Sequence, residues 1–192
     1  MDLGLKDRTV VVTGASKGIG LACVHGFAAE GARVAMISRS RANLDAALAA
    51  MPPTAHRPVA VAADLTRADE AARAIAEVER ALGPIDVLVN SAGAAKRHPP
   101  DELTAKAWHD AMDAKFFSYI HPIAIVVKSM AARGRGAIVN IVGQGGKVAN
   151  PVHLPGGAAN AALMLATAGL AAAYAPKGVR VNAINPGATL TG

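Results

Sequence analysis

Thr9-Val10-Val11-Val12 runs straight into Thr13-Gly14-Ala15-Ser16-Lys17-Gly18-Ile19-Gly20, and few segments restrict a fold as tightly. The β-branched run reads as a short buried strand. Leu21 to Glu30 then reads as a helix that ends near Gly31. A glycine-rich turn between a first strand and a helix is a pyrophosphate site. Glycines let the backbone approach the ligand, and the helix start offers unpaired N–H groups and the positive end of its dipole. The spacing is G-x-x-x-G-x-G and differs from the G-x-G-x-x-G of the general dinucleotide fingerprint.

The same alternation continues down the chain, which predicts a parallel sheet with crossover helices. Strands are expected at 33–37, 58–62, 85–89, 136–142 and 179–184. Ser40 and Thr66 read as N-caps of the second and third helices. Thr104 opens a long helical region to about Arg133, which Pro122 should kink or divide. Gly143 to Lys147 reads as a flexible turn, and an alanine-rich helix covers residues 156–175. No linker or internal repeat interrupts the pattern, so 1–192 is expected to be a single domain.

Hydrophobic residues make up 52% of the chain but aromatics only 3%, so the core must be built from Ala, Val, Leu and Ile. The lone cysteine, Cys23, excludes an intrachain disulfide and reads as a small buried residue. There is no signal-peptide pattern and no apolar run long enough for a membrane span, so a soluble cytoplasmic protein is expected. The net charge of +6 is scattered and lacks interleaved aromatics, which argues against nucleic acid and for an anionic cofactor. The six histidines show no paired-ligand spacing, so no metal site is expected.

The glycine turn, Asp64-Leu65, Asn90-Ser91-Ala92-Gly93 and Asn182-Ala183-Ile184-Asn185-Pro186-Gly187 occur in the order seen in the short-chain dehydrogenase/reductase family, which this chain resembles along almost its whole length. The resemblance implies a Rossmann-type, doubly wound α/β fold, three-layered with helices on both faces of a parallel sheet. It also implies an NAD(P)-dependent oxidoreductase, homodimeric or homotetrameric through the long helix from Thr104 and the helix carrying Ala161, Ala162, Ala168 and Ala172. The chain stops at Gly192, where family members usually continue with a helical segment and a seventh strand. That strand is therefore expected to be absent, and a fragment is the expected explanation.

By this resemblance Gly14, Ser16, Lys17, Gly18, Ile19 and Gly20 hold the cofactor phosphates. Asp64 and Leu65 flank the adenine. Asn90, Ala92 and Gly93 line the riboses; Asn90 is alternatively structural, bonding neighbouring strand ends, and the two roles are compatible. Pro186, Gly187, Thr189 and Thr191 lie near the nicotinamide. The second strand ends in Ser38-Arg39-Ser40-Arg41 with no carboxylate to hold a ribose 2′-hydroxyl, and Arg39 can pair with a 2′-phosphate. NADP(H) is thus expected over NAD(H), unless the arginines are only solvated loop charges.

The family's chemistry rests on a serine, a tyrosine, a lysine four residues later, and a helix asparagine. Counting from the strand at 136–141 and back from Asn182 places these at Gly143, Gly156 and Asn160; counting from Trp108 places the asparagine at Lys115. All four differ. Glycine donates no proton and Asn160 carries no charge, whereas a positioned acid/base is worth roughly 100- to 10,000-fold. Replacement donors are sought among Lys115, Gln144, Lys147 and His153, with Lys147 alternatively a solvated charge and His153 a loop histidine. Lys115, His153 and Asn160 are the candidate catalytic residues. Tyr119 and Tyr174 lie away from the family position; Tyr174 reads as structural, and Tyr119, one turn after Lys115 on the same helix face, as a packing or subunit-contact residue. Two functions stay open: an oxidoreductase with an altered proton relay, or a nucleotide-binding protein without turnover that acts as a regulator or subunit partner.

Overall fold

The computed structural model describes residues 3–93 and 96–190. Six parallel strands form one sheet: β1 (Thr9–Thr13), β2 (Arg33–Ser38), β3 (Val59–Ala62), β4 (Val87–Asn90), β5 (Gly136–Ile141) and β6 (Val179–Ile184). Their order is β3-β2-β1-β4-β5-β6, as expected of a Rossmann-like sheet without a seventh strand. The order reverses between β1 and β4, and a crevice opens there beyond the carboxyl ends of the strands.

Side chains alternate across a strand with a period of two. Val10, Val12, Val34 and Met36 therefore face one side and pack on α1 (Gly18–Ala29) and α2 (Arg41–Ala49). Val11, Ala35, Ile37, Leu88 and Ile138 face the other, against α3 (Ala68–Leu82), α5 (Ser118–Ala132) and Leu163 of α6 (Leu154–Tyr174). α3 shows how sequence dictates this layer: Ala71, Ala74, Ile75 and Val78 recur at helical spacing and are its buried residues. At the opposite end of the sheet Asp86 collects Arg8, Arg133 and Arg135, which ties the strand entrances together.

The cap predicted at Ser40 forms, and Thr104, expected only to open its helical region, caps it as well. Ser40 accepts from the Asn43 N–H, and Thr104 does the same for Ala107. Thr66 does not cap α3. Its hydroxyl donates to Asp64 instead, and the cap position falls on Arg67, whose side chain makes no capping bond. The long helical region divides before Pro122 rather than at it. α4 (Ala105–Ala111) passes into a π-helical turn, Met112–Phe117, and α-helix resumes at Ser118. A proline lacks the N–H that would bond the carbonyl four residues back and crowds that carbonyl, so strain is felt in the preceding turn. Within the turn the Ser118 hydroxyl donates to the Ala114 carbonyl at 2.9 Å.

The stretch Pro151–Lys177 corrects another expectation. With mean hydropathy 1.4 it is long and apolar enough, by composition alone, to cross a membrane. Its buried residues, Gly156, Ala159, Asn160, Leu163 and Thr167, nevertheless form one stripe, and Leu163 sits in the core beside Val179 and Val181 of β6.

Candidate functional site

Residues from the carboxyl ends of the strands line a cleft of about 910 Å³ at the β1/β4 reversal. One wall carries Gly14, Ser16, Lys17, Gly18, Ile19 and Gly20, followed by Ser38, Arg39, Asp64 and Leu65. The lining also includes Ala92, Gly93, Lys96, Asp110, Asp113, Gly156, Gly187 and Thr189, with Thr189 beside Lys17, Gly18 and Ile19. The structure thus brings together most of the residues expected to meet the cofactor. Thr191 lies outside the described residues, as do Ala94 and Ala95.

The glycine turn is shaped by its own packing. Gly14 has φ +63°, and a Cβ there would come within 2.6 Å of the Ser91 carbonyl oxygen. A Cβ on Gly20 would lie 2.4 Å from the Gly14 carbonyl oxygen. Only glycine lets the turn nest against the end of β4 while α1 begins immediately behind it. The first N–H groups of α1 then have no intrahelical partner, and the Lys17 side chain does not cap them. This arrangement suits a pyrophosphate. Nearby, the Ser16 and Ser38 hydroxyls lie 3.1 Å apart. Arg39 is exposed beside them with no ion pair among the described residues. Asp64 accepts the Thr66 N–H and hydroxyl, at 3.1 and 2.8 Å, through one carboxylate oxygen.

Asn90 does not line the cleft. It is fully buried in a polar chain across the strand ends. Thr13 donates to its Oδ1 at 3.5 Å, its Nδ2 donates to Asn140 at 3.0 Å, and Asn140 donates to Thr167 at 2.9 Å. Thr13 also accepts the Ser91 and Ala92 N–H groups. The chain clamps the ends of β1, β4 and β5 to α6, which is the strand-end bonding considered for Asn90. Pro186 stands behind the lining too, its carbonyl accepting the Gln144 N–H at 3.1 Å.

Of the residues counted to the family's catalytic positions, Gly156 lines the cleft, and Lys115, Gly143 and Asn160 stand outside its lining. Lys115 sits in the π-helical turn and directs its amine away from the lining. Its Nζ donates to the Tyr119 hydroxyl and the Ile141 carbonyl, both at 2.8 Å, and the hydroxyl donates to that carbonyl at 2.7 Å. Burial lowers the Lys115 pKa to about 8 and raises that of Tyr119. The amine backs onto Gly93, where a Cβ would meet Lys115 Cδ at 3.0 Å. Tyr119 is a packing residue, as expected, but its bond to Lys115 was not. One helical turn separates them, so the i, i+4 spacing was the available signal.

Gly143 precedes a short 3₁₀ turn, Gln144–Gly146, that lies against α6 rather than swinging free. A Cβ on Gly146 would fall 2.8 Å from the backbone of Asn160 and Ala161, and one on Gly157 would fall 2.9 Å from the Gly145 carbonyl oxygen. Asn160 is 7% exposed and its Oδ1 has no partner among the described residues. The His153 ring fills the space into which a side chain at Gly156 would project, and its Nδ1 lies 3.4 Å from the Lys96 carbonyl oxygen. Lys147 is exposed. Tyr174 is away from the site, with Lys177 Nζ 5.1 Å over its ring. Cys23 is half-buried rather than buried, and desolvation pushes its thiol up, away from reactivity. Among the described residues no group of three or more metal-binding side chains occurs.

A family profile described as short chain dehydrogenase matches residues 8–192. The chain is 34% identical over 183 residues to gluconate 5-dehydrogenase of Gluconobacter oxydans, covering 95% of this chain and 72% of that protein. It is 38% identical over 192 residues to L-xylulose reductase of Mus musculus, covering 100% and 75%. The crystal structure of L-sorbose reductase from Gluconobacter frateurii, complexed with NADPH and L-sorbose, aligns with TM-score 0.92 and 31% identity, over 100% of this chain and 73% of that one.

Proposed function

Because the chain belongs to the short-chain dehydrogenase family, we propose that it binds NADP(H) in preference to NAD(H) along the β1/β4 cleft and interconverts a small polyhydroxylated ketone and its alcohol. Bound there, the nicotinamide would supply or accept the hydride. The glycine turn holds the pyrophosphate, and Ser16, Lys17, Ser38 and Arg39 surround the adenosine end. Gly93, Gly187 and Thr189 border the nicotinamide end. The observation that carries the NADP(H) preference is Arg39, exposed at the end of β2 with no ion pair among the described residues and no carboxylate at Ser38–Arg41.

Charge-assisted hydrogen bonds contribute about 1.5–3 kcal/mol, or roughly 10- to 100-fold in affinity. Arg39→Ala is therefore expected to weaken NADPH by about that factor and leave NADH unchanged. Calorimetric titration of both nucleotides checks it. Equal losses for the two would remove the 2′-phosphate assignment, and no binding of either would remove the cofactor reading.

The ketone class draws on relatives named for L-xylulose, L-sorbose and gluconate. A second reading, nucleotide binding without turnover, is favoured by one observation: Gly143 and Gly156 have no side chain and Asn160 has no charge. Turnover of a ketose panel by the NADPH complex separates the two.

We also infer a homodimer, at the least, through the outer face of α6. Ala161, Leu165, Ala168 and Ala172 share one exposed stripe, with Leu165 78% exposed. Small residues allow two such helices to approach across a two-fold axis. Sedimentation at micromolar concentration should show the dimer, and Leu165→Glu should dissociate it. A monomer in the parent chain would reject this interface.

A further inference from the structure

We propose that His153 is the proton donor and acceptor of this site, an inference that rests on the oxidoreductase reading above. Gly156 lines the cleft. A Cβ built on it would lie 2.2 Å from Cε1, 2.6 Å from Nε2 and 2.9 Å from Nδ1 of His153. The imidazole therefore occupies the root of the space a side chain at residue 156 would fill. A Cβ on Gly145 would approach the same ring, 3.2 Å from Cδ2 and 3.6 Å from Nε2. Any larger residue at 156 would evict the ring, and a side chain at 145 would press on it.

The backbone under the ring is fixed from two sides. The Asn150 side chain accepts the Val152 N–H at 3.1 Å, and the Val152 carbonyl accepts the His98 N–H at 3.0 Å. Nδ1 faces the Lys96 carbonyl oxygen at 3.4 Å. A carbonyl accepts only, so Nδ1 is the donor there and Nε2 is the nitrogen left for exchange. Nε2 also stands closer than Nδ1 to the Cβ position of Gly156, at 2.6 against 2.9 Å.

The balance closes without another co-reactant. In reduction, a nicotinamide bound in the cleft would supply hydride to the carbonyl carbon, and the C=O π pair would take the Nε2 proton of the imidazolium. This leaves an alcohol, an oxidised nicotinamide and a neutral imidazole, which regains its proton from water at its exposed edge. Oxidation runs the same steps backward, with neutral Nε2 accepting the hydroxyl proton.

The test uses NADPH with L-xylulose and L-sorbose as probes. His153→Ala should lower kcat by about 100-fold or more while NADPH affinity stays within about twofold. Added imidazole should restore part of that rate, because Gly145 and Gly156 leave a hole of its shape. Gly156→Ala should lower kcat in parallel by evicting the ring. Independently of turnover, one histidine ring resonance, identified by its loss in His153→Ala, should shift when L-xylulose is added to the unreactive NADP⁺ complex. A kcat in His153→Ala within about threefold of the parent overturns the proposal. So does a fall that imidazole does not rescue together with an unmoved resonance, which makes His153 a packing residue. NADPH bound with neither ketose turned over overturns the proton role while leaving the nucleotide site standing; failure to bind NADPH at all removes the reading beneath it.

Discussion

The triple substitution Gly143→Ser, Gly156→Tyr and Asn160→Lys should lower the melting temperature by about 10 °C and leave ketose reduction no faster than in the parent chain. On paper it rewrites the family's residues at their counted positions. The geometry opposes each change for a different reason. Gly143 has φ 124° and ψ 147°, a conformation that is essentially glycine's alone. A serine there costs about 1–3 kcal/mol in backbone strain. Asn160 is 7% exposed, and the backbone behind it is only 2.8 Å from where a Gly146 Cβ would stand. A lysine at 160 would bury an ammonium that has no acidic partner, costing a further few kcal/mol (about 2). Tyrosine at 156 displaces the His153 ring, a flexible group, and so is the mildest of the three. A total near 4 kcal/mol corresponds to about 10 °C in a chain of this size. Thermal unfolding and steady-state assays of the same preparation check both halves. An unchanged melting temperature with faster turnover would mean that the 143–160 region is a spacious, ordinary site, and would remove the altered-relay reading with it.

That experiment marks where the sequence stops being readable. The strand positions, the glycine turn and the cap at Ser40 were legible because each is written within a few consecutive residues. Thr66 missed the cap because α3 begins one residue later, at Ala68, which puts the cap position on Arg67, and propensity does not rank such neighbours. The π-helical turn at Met112–Phe117 was hidden because Pro122 reports a disturbance without saying on which turn it falls. Counting along strands found Gly143, Gly156 and Asn160, yet could not show that the His153 ring fills the vacated volume. That depends on the 3₁₀ turn at Pro151–His153 folding back over Gly156. The buried run from Thr13 through Asn90 and Asn140 to Thr167 joins three strands and a helix, and only the assembled sheet brings it together.

Lys115→Met should change stability by an amount that depends on pH, and the dependence is the informative part. The Lys115 amine has two neutral acceptors, Tyr119 and Ile141, and no ion pair among the described residues. Burial takes its pKa from 10.5 to about 8. Between those values the unfolded chain holds a proton that the folded chain has released, so stability rises with pH across the window. Below pH 8 the full penalty applies, about 3 kcal/mol at 1.36 kcal/mol per unit. Methionine escapes that penalty but forfeits two hydrogen bonds worth about 1 kcal/mol each, so near pH 7 the two proteins should differ little. From pH 7 to 9.5 the parent should gain about 2 kcal/mol on the variant. Tyr119, whose hydroxyl burial holds protonated, pulls the other way once unfolded tyrosine ionises near pH 10, but it is present in both proteins and cancels in the comparison. Urea unfolding at half-unit pH steps measures the difference. A difference that stays flat within about 0.5 kcal/mol would show that Lys115 keeps an ordinary pKa, with solvent reaching it behind Gly93. A rising difference would instead place a lysine that loses its charge near pH 8 directly behind Gly93 and the end of β5, so that the charge of that cleft wall changes within the range in which a dehydrogenase assay is run.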